Sequence, residues 1–195
     1  MFKMDVVEKT IDTYEEYAEE YSKLHPIDKI KNLLDFFTEH LNGNKVLDVG
    51  CGPGRDAKYF SEHNLDVTGI DLTSKFIEMA SQNAPNAKII QMDMRYLDFP
   101  YSTFDGIWAC ASFLHLPKYD AENTLRRFRR VLKPNGLLYI GVKQGEGEYF
   151  VGDRYFSFYK LDEFRDLLES CNFKVINTII EEKKDTWINM YAVKD

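Results

Sequence analysis

Lys45-Val-Leu-Asp-Val-Gly-Cys-Gly-Pro-Gly-Arg-Asp56 is the stretch that decides the fold. Val46, Leu47 and Val49 form a short apolar run of the kind a buried parallel strand needs. Gly50, Gly52 and Gly54 follow, alternating with Cys51 and Pro53. Glycines at that density let a backbone turn sharply and let a ligand approach without meeting a Cβ. Helical residues come next, so the turn presents a helix N-terminus and its unpaired N–H groups to that ligand. The stretch predicts a nucleotide-type pocket at the carboxyl end of a first strand.

Working outward, the same rhythm of strand, turn and helix repeats. Asp66-Val-Thr-Gly-Ile-Asp71 reads as a second strand, and Ser74 stands where it can cap a helix carrying Phe76, Ile77, Met79 and Ala80. Lys88-Ile-Ile-Gln-Met92 is a third strand with Asp93 just past it, and Phe104-Asp-Gly-Ile-Trp-Ala-Cys110 a fourth. A helix from about Asp120 to Leu132 and the turn Lys133-Pro-Asn-Gly136 lead to a fifth, Leu137 to Val142. Strands alternating with helices imply a doubly wound α/β sheet with right-handed crossovers.

The flanks read differently. Upstream, Tyr14, Tyr17, Ala18 and Tyr21 share one face of a helix over residues 12–24. That helix either packs on the domain or acts as a lid that lays Tyr21, and with it Tyr14, over a ligand. A second helix carries Ile30, Leu33, Leu34, Phe37 and Leu41 and stops at Asn42-Gly43. Downstream, residues 143–159 show no period but hold Tyr149, Phe150, Tyr155, Phe156, Phe158 and Tyr159. Leu161 to Cys171 reads as a helix. Two β-rich runs follow, Phe173 to Glu181 and Thr186 to Val193, joined by a turn too short for parallel strands. The expected architecture is therefore one Rossmann-like domain over 1–195, with about seven strands, mostly parallel, ending in an antiparallel hairpin, and helices on both faces. Residues 1–43 supply the helical lid and first helices, 44–142 the binding core, and 143–195 the substrate-side segment and hairpin.

Composition narrows the class. A net charge of −7 disfavours a phosphate-tracking surface, so nucleic acid is not the expected partner. Cys51, Cys110 and Cys171 are far apart and form no CxxC pair, which suits a reduced cytoplasmic protein and not a metal site. The opening residues Met1 to Glu8 lack the apolar core of a signal peptide, and no run approaches the ~18 apolar residues of a membrane span.

Acids stand at the ends of successive strands: Asp48 within the first, Asp71 after the second, Asp93 after the third. In an open α/β sheet these ends form the ligand crevice, where an acid after the second strand commonly accepts from ribose hydroxyls. Gly52-Pro-Gly-Arg-Asp-Ala57 also matches the dinucleotide fingerprint, so a nicotinamide oxidoreductase is one reading. Asp48 and Asp56 on either side of the glycines argue against a pyrophosphate and for a ligand bearing positive charge.

At this point the sequence resembles the class I S-adenosylmethionine-dependent methyltransferases. Val46 to Gly54 is similar to the family's first motif, Gly69-Ile-Asp-Leu72 to its second and Gln91-Met-Asp-Met94 to its third. Phe104 to Pro117 resembles the fourth, and Arg130 to Leu138 the turn into strand five. Tyr14-Glu-Glu-Tyr-Ala-Glu-Glu-Tyr21 is similar to a segment that often precedes the fold. The resemblance implies S-adenosyl-L-methionine as cofactor. Gly50, Cys51, Gly52 and Gly54 would then shape the turn around its methionine moiety, with Asp48 near the amino group. Asp71 would hold the ribose, Leu72 would lie against the adenine, and Asp93 and Met94 would bond it. The backbone around Ala109 and Cys110 would close the methionine end, and Tyr21 would cover the site.

Methyl transfer from a sulfonium is an in-line displacement that asks chiefly for position and a dry pocket. His115, past the fourth strand, is the one histidine placed to act as a base, or else it bonds the backbone and shapes the pocket. His25, His40 and His63 are expected to face solvent. Ala109-Cys-Ala-Ser112 is not the Asn/Asp-Pro-Pro-aromatic run of nucleic-acid-base or glutamine methyltransferases. Arg126, Arg127, Arg129, Arg130 and Lys133 alternate with Leu125, Phe128 and Leu132 at core spacing, which predicts a solvated outer face, although an RNA contact stays open. The expected acceptor is a small molecule with an aromatic or apolar part, walled by Tyr14, His115, Tyr149, Tyr155 and Tyr159. Methylation of RNA or protein, and a binding protein without turnover, are the alternatives.

Overall fold

The computed structural model describes residues 5–24 and 26–195. The expectations placed on Met1 to Met4 and on His25 lie outside the described residues. The chain begins with α1 (Val6–Leu24) and α2 (Lys31–His40), then enters the sheet through β1 (Lys45–Val49). There follow α3 (Arg55–Glu62), β2 (Asp66–Asp71), α4 (Ser74–Asn83), β3 (Lys88–Gln91), β4 (Phe104–Cys110), α5 (Lys118–Val131) and β5 (Leu132–Lys143). The last third holds β6 (Glu148–Val151), β7 (Arg154–Ser157), α6 (Leu161–Ser170), β8 (Phe173–Glu182) and β9 (Thr186–Lys194).

Seven strands form one sheet in the order β3-β2-β1-β4-β5-β9-β8, and β6 pairs only with β7. β9 runs antiparallel to both β5 and β8, while β1 to β5 pair in parallel. β1 lies between β2 and β4, so the crossovers leave on opposite sides and a crevice opens at the carboxyl ends of these strands. The fold is the Rossmann-like sheet with a terminal antiparallel hairpin that the strand–helix rhythm implied.

Strand alternation divides the core. Leu47, Val49, Ile107 and Ala109 face one side, where Leu125 and Phe128 of α5 and Phe164 and Leu168 of α6 cover them. Val46, Trp108 and Tyr139 face the other, against Leu34 and Phe37 of α2 and Phe60 of α3. There Trp108 stacks on Tyr139 with ring centroids 3.7 Å apart. On the outside of α5 Arg126 pairs with Glu122 at 2.7 Å, and beyond its end Lys133 pairs with Asp105 at 2.7 Å. His40 and His63 are exposed.

Two local expectations change. The aromatic segment after β5 contains the hairpin β6–β7, turning at Gly152, whose φ is +62°. It shows no period because all of β6 is exposed whereas Tyr155, Phe156 and Ser157 of β7 are buried, so neither strand alternates. Ser74 is the first helical residue of α4 and not its cap. Instead the carboxylate of Glu15, on α1, accepts from the backbone N–H of Ser74 and of Lys75. The helix start is satisfied from the far side of the crevice, which ties α1 to α4.

Candidate functional site

The glycine turn is held by the strand beside it. Gly50 and Cys51 donate their N–H groups to the Ile70 carbonyl at 2.8 and 2.9 Å. Gly52 donates to Asp71 Oδ2 at 2.9 Å, and Thr73 donates to Asp71 Oδ1 at 2.9 Å. One carboxylate thus secures both turns that form the floor. Gly50 and Gly52 have φ of +69° and +52°, which a side chain adopts only at a cost. They differ in surroundings. A Cβ on Gly50 would stand 2.3 Å from that of Ser112, whereas a Cβ on Gly52 would meet no atom within 4 Å. Gly52 therefore faces open space.

That space is a cavity that opens to solvent beside the glycine turn. Gly50, Gly52, Asp71, Leu72, Asp93 and Met94 line one end of it. Tyr14, Tyr21, Cys110 and His115 also reach its wall, so α1 packs on the domain and lines the cavity at once. A second, more polar space opens on the other side of the turn, bounded by Cys51, Gly54, Arg55 and Asn83. Tyr21, Gly50, Gly52 and Cys110 border both. Val7, Thr10, Thr73, Phe76 and Ser112 are wall residues that sequence reasoning missed. Val7 and Thr10 precede the helix the sequence suggested, since α1 begins at Val6, and Ser112 lies within the fourth motif without a role assigned to it.

Burial raises the Asp71 carboxyl above its ordinary range, against the two backbone donors that favour its charge. Both oxygens of Asp93 are engaged by Arg95, through its backbone N–H at 2.8 Å and its Nε at 2.9 Å. Arg95 in turn reaches Asp5 at 3.2 Å, which fastens the start of α1 to this rim.

Asp48 does not belong to the cavity wall. Alternation along β1 points it to the side of Val46, toward α3, where it is buried. One of its oxygens has no hydrogen-bond partner among the described residues. Burial and the nearby Asp56 raise its carboxyl well above the usual range. The sequence placed Asp48 near the amino group of the cofactor; in the fold it is a buried carboxyl behind the glycine turn, outside the cavity wall. Asp56 is likewise inward, accepting from Trp108 Nε1 at 2.9 Å and pairing with Arg55 at 2.6 Å. Ala109 is enclosed in the core by the same alternation.

At the other end of the cavity, His115 sits between two fixed partners. Its Nδ1 lies 2.6 Å from the Tyr155 carbonyl, and its Nε2 lies 2.9 Å from Tyr14 Oη. A carbonyl only accepts, so Nδ1 carries the proton and Nε2 accepts from the Tyr14 hydroxyl. Arg154 donates to the same hydroxyl oxygen at 3.2 Å. Burial, with smaller contributions from Arg154 and Lys143, lowers His115 to about 4. Burial raises Tyr14. The Tyr155 N–H donates to Thr10 Oγ1 at 2.9 Å, so α1 also holds the residue whose carbonyl orients His115.

The aromatic segment meets the site less directly than expected. Tyr149 is exposed and stacks on Phe158, and Tyr159 is buried against Phe164. Tyr155 contributes its backbone to His115, but neither its ring nor the other two tyrosines line the cavity.

A sheet of this order, with a glycine turn, acids ending β2 and β3 and an aromatic roof, defines a nucleoside-binding methyltransferase fold. The Methyltransferase domain family matches residues 46–136. An O-methyltransferase of Aspergillus nomiae is 31% identical over 152 residues, 70% of this chain and 67% of its own length. The phosphoethanolamine N-methyltransferase of Plasmodium falciparum is 29% identical over 191 residues, 91% of this chain and 70% of that protein. Two further relatives are matched over only 38% and 34% of their own length. Among solved structures, the 1,6-didemethyltoxoflavin-N1-methyltransferase of Burkholderia thailandensis shares the fold. Its TM-score is 0.81 at 23% identity, over 96% of this chain and 87% of that one. The chain belongs to the class I S-adenosylmethionine-dependent methyltransferases. It is an enzyme of that type, and S-adenosyl-L-methionine is its cofactor.

Proposed function

We propose that the protein methylates a small molecule held between the cofactor and the Tyr14–His115 pair. The observation that carries this reading is the pair itself, a phenol and a neutral imidazole hydrogen-bonded at 2.9 Å on the wall of the same cavity as Gly52 and Asp71. The residues present fit the cofactor. Open space before Gly52 leaves room for its amino-acid portion, and the polar space by Cys51 and Gly54 continues from it. Asp71 is placed to accept from the ribose hydroxyls, with Leu72, Met94 and Asp93 toward the base and Tyr21 over the top. When bound, S-adenosylmethionine supplies an electrophilic methyl group on a sulfonium.

The chain's own work is placement, exclusion of water and the handling of one proton. α1, tied down through Glu15, Thr10 and Tyr14, roofs the cavity. His115 Nε2, held by its Nδ1–H bond, can take the Tyr14 proton as the phenol oxygen takes one from a hydroxyl or ammonium acceptor. An imidazole at about 4 accepts a proton weakly alone, so the phenol shares the task. Named relatives act on nitrogen and, in one case, oxygen acceptors, so the accepting atom is set by the substrate. The free thiols of Cys51, Cys110 and Cys171 suit a reducing cytoplasm. Among the described residues no helix is long and apolar enough to cross a membrane.

The test is calorimetry with S-adenosylmethionine and with NADH, followed by incubation of the protein with metabolite extract and assay for S-adenosylhomocysteine. Cofactor binding and product release are expected. Binding without release from any extract would leave a cofactor-binding protein, and binding of NADH alone would end the methyltransferase reading.

A further inference from the structure

Arg154 opens β7 beside the Tyr14–His115 pair. Its guanidinium makes one hydrogen bond, to Tyr14 Oη, and lies 5.5 Å from the ring centroids of both Tyr14 and Phe156. Among the described residues it makes no ion pair. The acids nearby are committed elsewhere: Asp153 pairs with Lys9 at 3.1 Å, and Glu148 accepts from the Lys118 N–H at 2.7 Å. Lys143, which also flanks His115 and lies 4.6 Å from the Phe156 centroid, is balanced by Asp185 at 2.7 Å.

A half-buried guanidinium without a carboxylate is expensive, and two aromatic faces recover only part of that cost. Arg154 also presents more N–H donors than the single bond uses, in a fork that suits a carboxylate or phosphate. Stacking on two rings and the bond to Tyr14 hold the fork in one orientation before any ligand arrives. The two carboxylates of the cavity wall, Asp71 and Asp93, lie toward the glycine-turn end, and Arg154 lies outside the wall, bonded to Tyr14. Arg154 is not itself a wall residue; its guanidinium stands behind the hydroxyl of Tyr14, which is one.

We propose that Arg154 is the counter-ion for an oxyanion, a carboxylate or a phosphate, carried by the methyl acceptor. The proposal rests on the methyl-transfer reading above and adds the acceptor's charge to it. An acceptor anchored there by its anion places its nucleophilic end at Tyr14 and His115, so Arg154 selects for charge and sets distance together.

The test uses the full chain loaded with S-adenosylhomocysteine and titrated calorimetrically with inorganic phosphate in one arm and acetate in the other. Saturable binding of at least one anion is expected, and the arm that binds tells phosphate from carboxylate. Arg154→Gln is expected to weaken that binding at least tenfold, with Arg154→Lys retaining part of it. S-adenosylhomocysteine affinity within twofold of the parent shows that each variant is folded. Failure of both anions to bind, or equal binding by Arg154→Gln, would overturn the proposal. If S-adenosylhomocysteine does not bind the parent protein, the methyl-transfer reading falls, and the same anion titrations on the bare protein still decide Arg154.

Discussion

The two ends of the crevice are built in different ways. At the glycine-turn end, Gly50, Gly52 and Asp71 come from neighbouring parallel strands and are joined largely through backbone N–H groups. At the other end, Tyr14, His115 and Arg154 come from α1, the segment after β4 and β7, which are 101 and 140 residues apart in the relevant pairs. The first end is a property of strand geometry and tolerates many side chains around a few fixed ones. The second depends on side chains meeting across the fold, and its chemistry changes if any one of them is replaced. Cofactor binding and acceptor handling should therefore be separable by mutation.

The largest expected effect is at the side-chain end. His115→Ala and Tyr14→Phe should each lower turnover by about 10²-fold or more if the pair handles a proton. S-adenosylhomocysteine affinity should change far less, and comparable losses in the two would erase the distinction between the ends. Turnover is followed as S-adenosylhomocysteine release with an acceptor found in extract.

Next in size is a pH effect confined to His115. Its folded value of about 4 lies below the ordinary ~6.5, so between those values the unfolded chain binds more protons. The stability it contributes is complete above pH ~6.5 and falls away as pH drops toward its folded value, by about 3 kcal/mol in all. Asp48, raised by burial, acts in the opposite sense, so the informative quantity is the difference between the parent and His115→Gln. Urea unfolding between pH 4 and 7 should show a smaller loss toward acid in the variant. Parallel curves would mean that His115 charges freely in the folded protein.

At the glycine-turn end, Asp71→Ala should weaken S-adenosylhomocysteine binding by roughly 1.5–3 kcal/mol, since it removes an acceptor for the ligand and for two backbone donors. An unchanged dissociation constant sinks the assignment. The smallest effect is a contrast between two glycines. Gly52→Ala should cost about 1–2 kcal/mol of stability from its positive φ alone, and it should weaken cofactor binding because its Cβ enters the cavity. Gly50→Ala meets Ser112 as well and should cost a further ~1–3 kcal/mol of stability. Equal thermal denaturation of the two would contradict the packing described here.

Much of this was legible in the residue order because parallel strands carry local signals. The apolar runs, the glycine turn, the acids ending β2 and β3 and the short turn before β9 each follow from spacing alone, and they specify the sheet and the cofactor end. The burial of Asp48 was not legible, because a strand's period of two sends alternate residues to opposite faces and only the packed sheet shows that α3 covers this one. The hairpin β6–β7 was invisible because its burial does not alternate, and the cap of α4 because it comes from Glu15 on another helix. The sequence by itself determined a class of fold and the glycine turn with its flanking acids, since both rest on backbone geometry encoded nearby. Only tertiary structure decided which nitrogen of His115 carries the proton, what Tyr14 donates to, and that Arg154 stands beside them with no carboxylate partner among the described residues. Those facts depend on contacts between residues far apart in the chain, and no local pattern carries them.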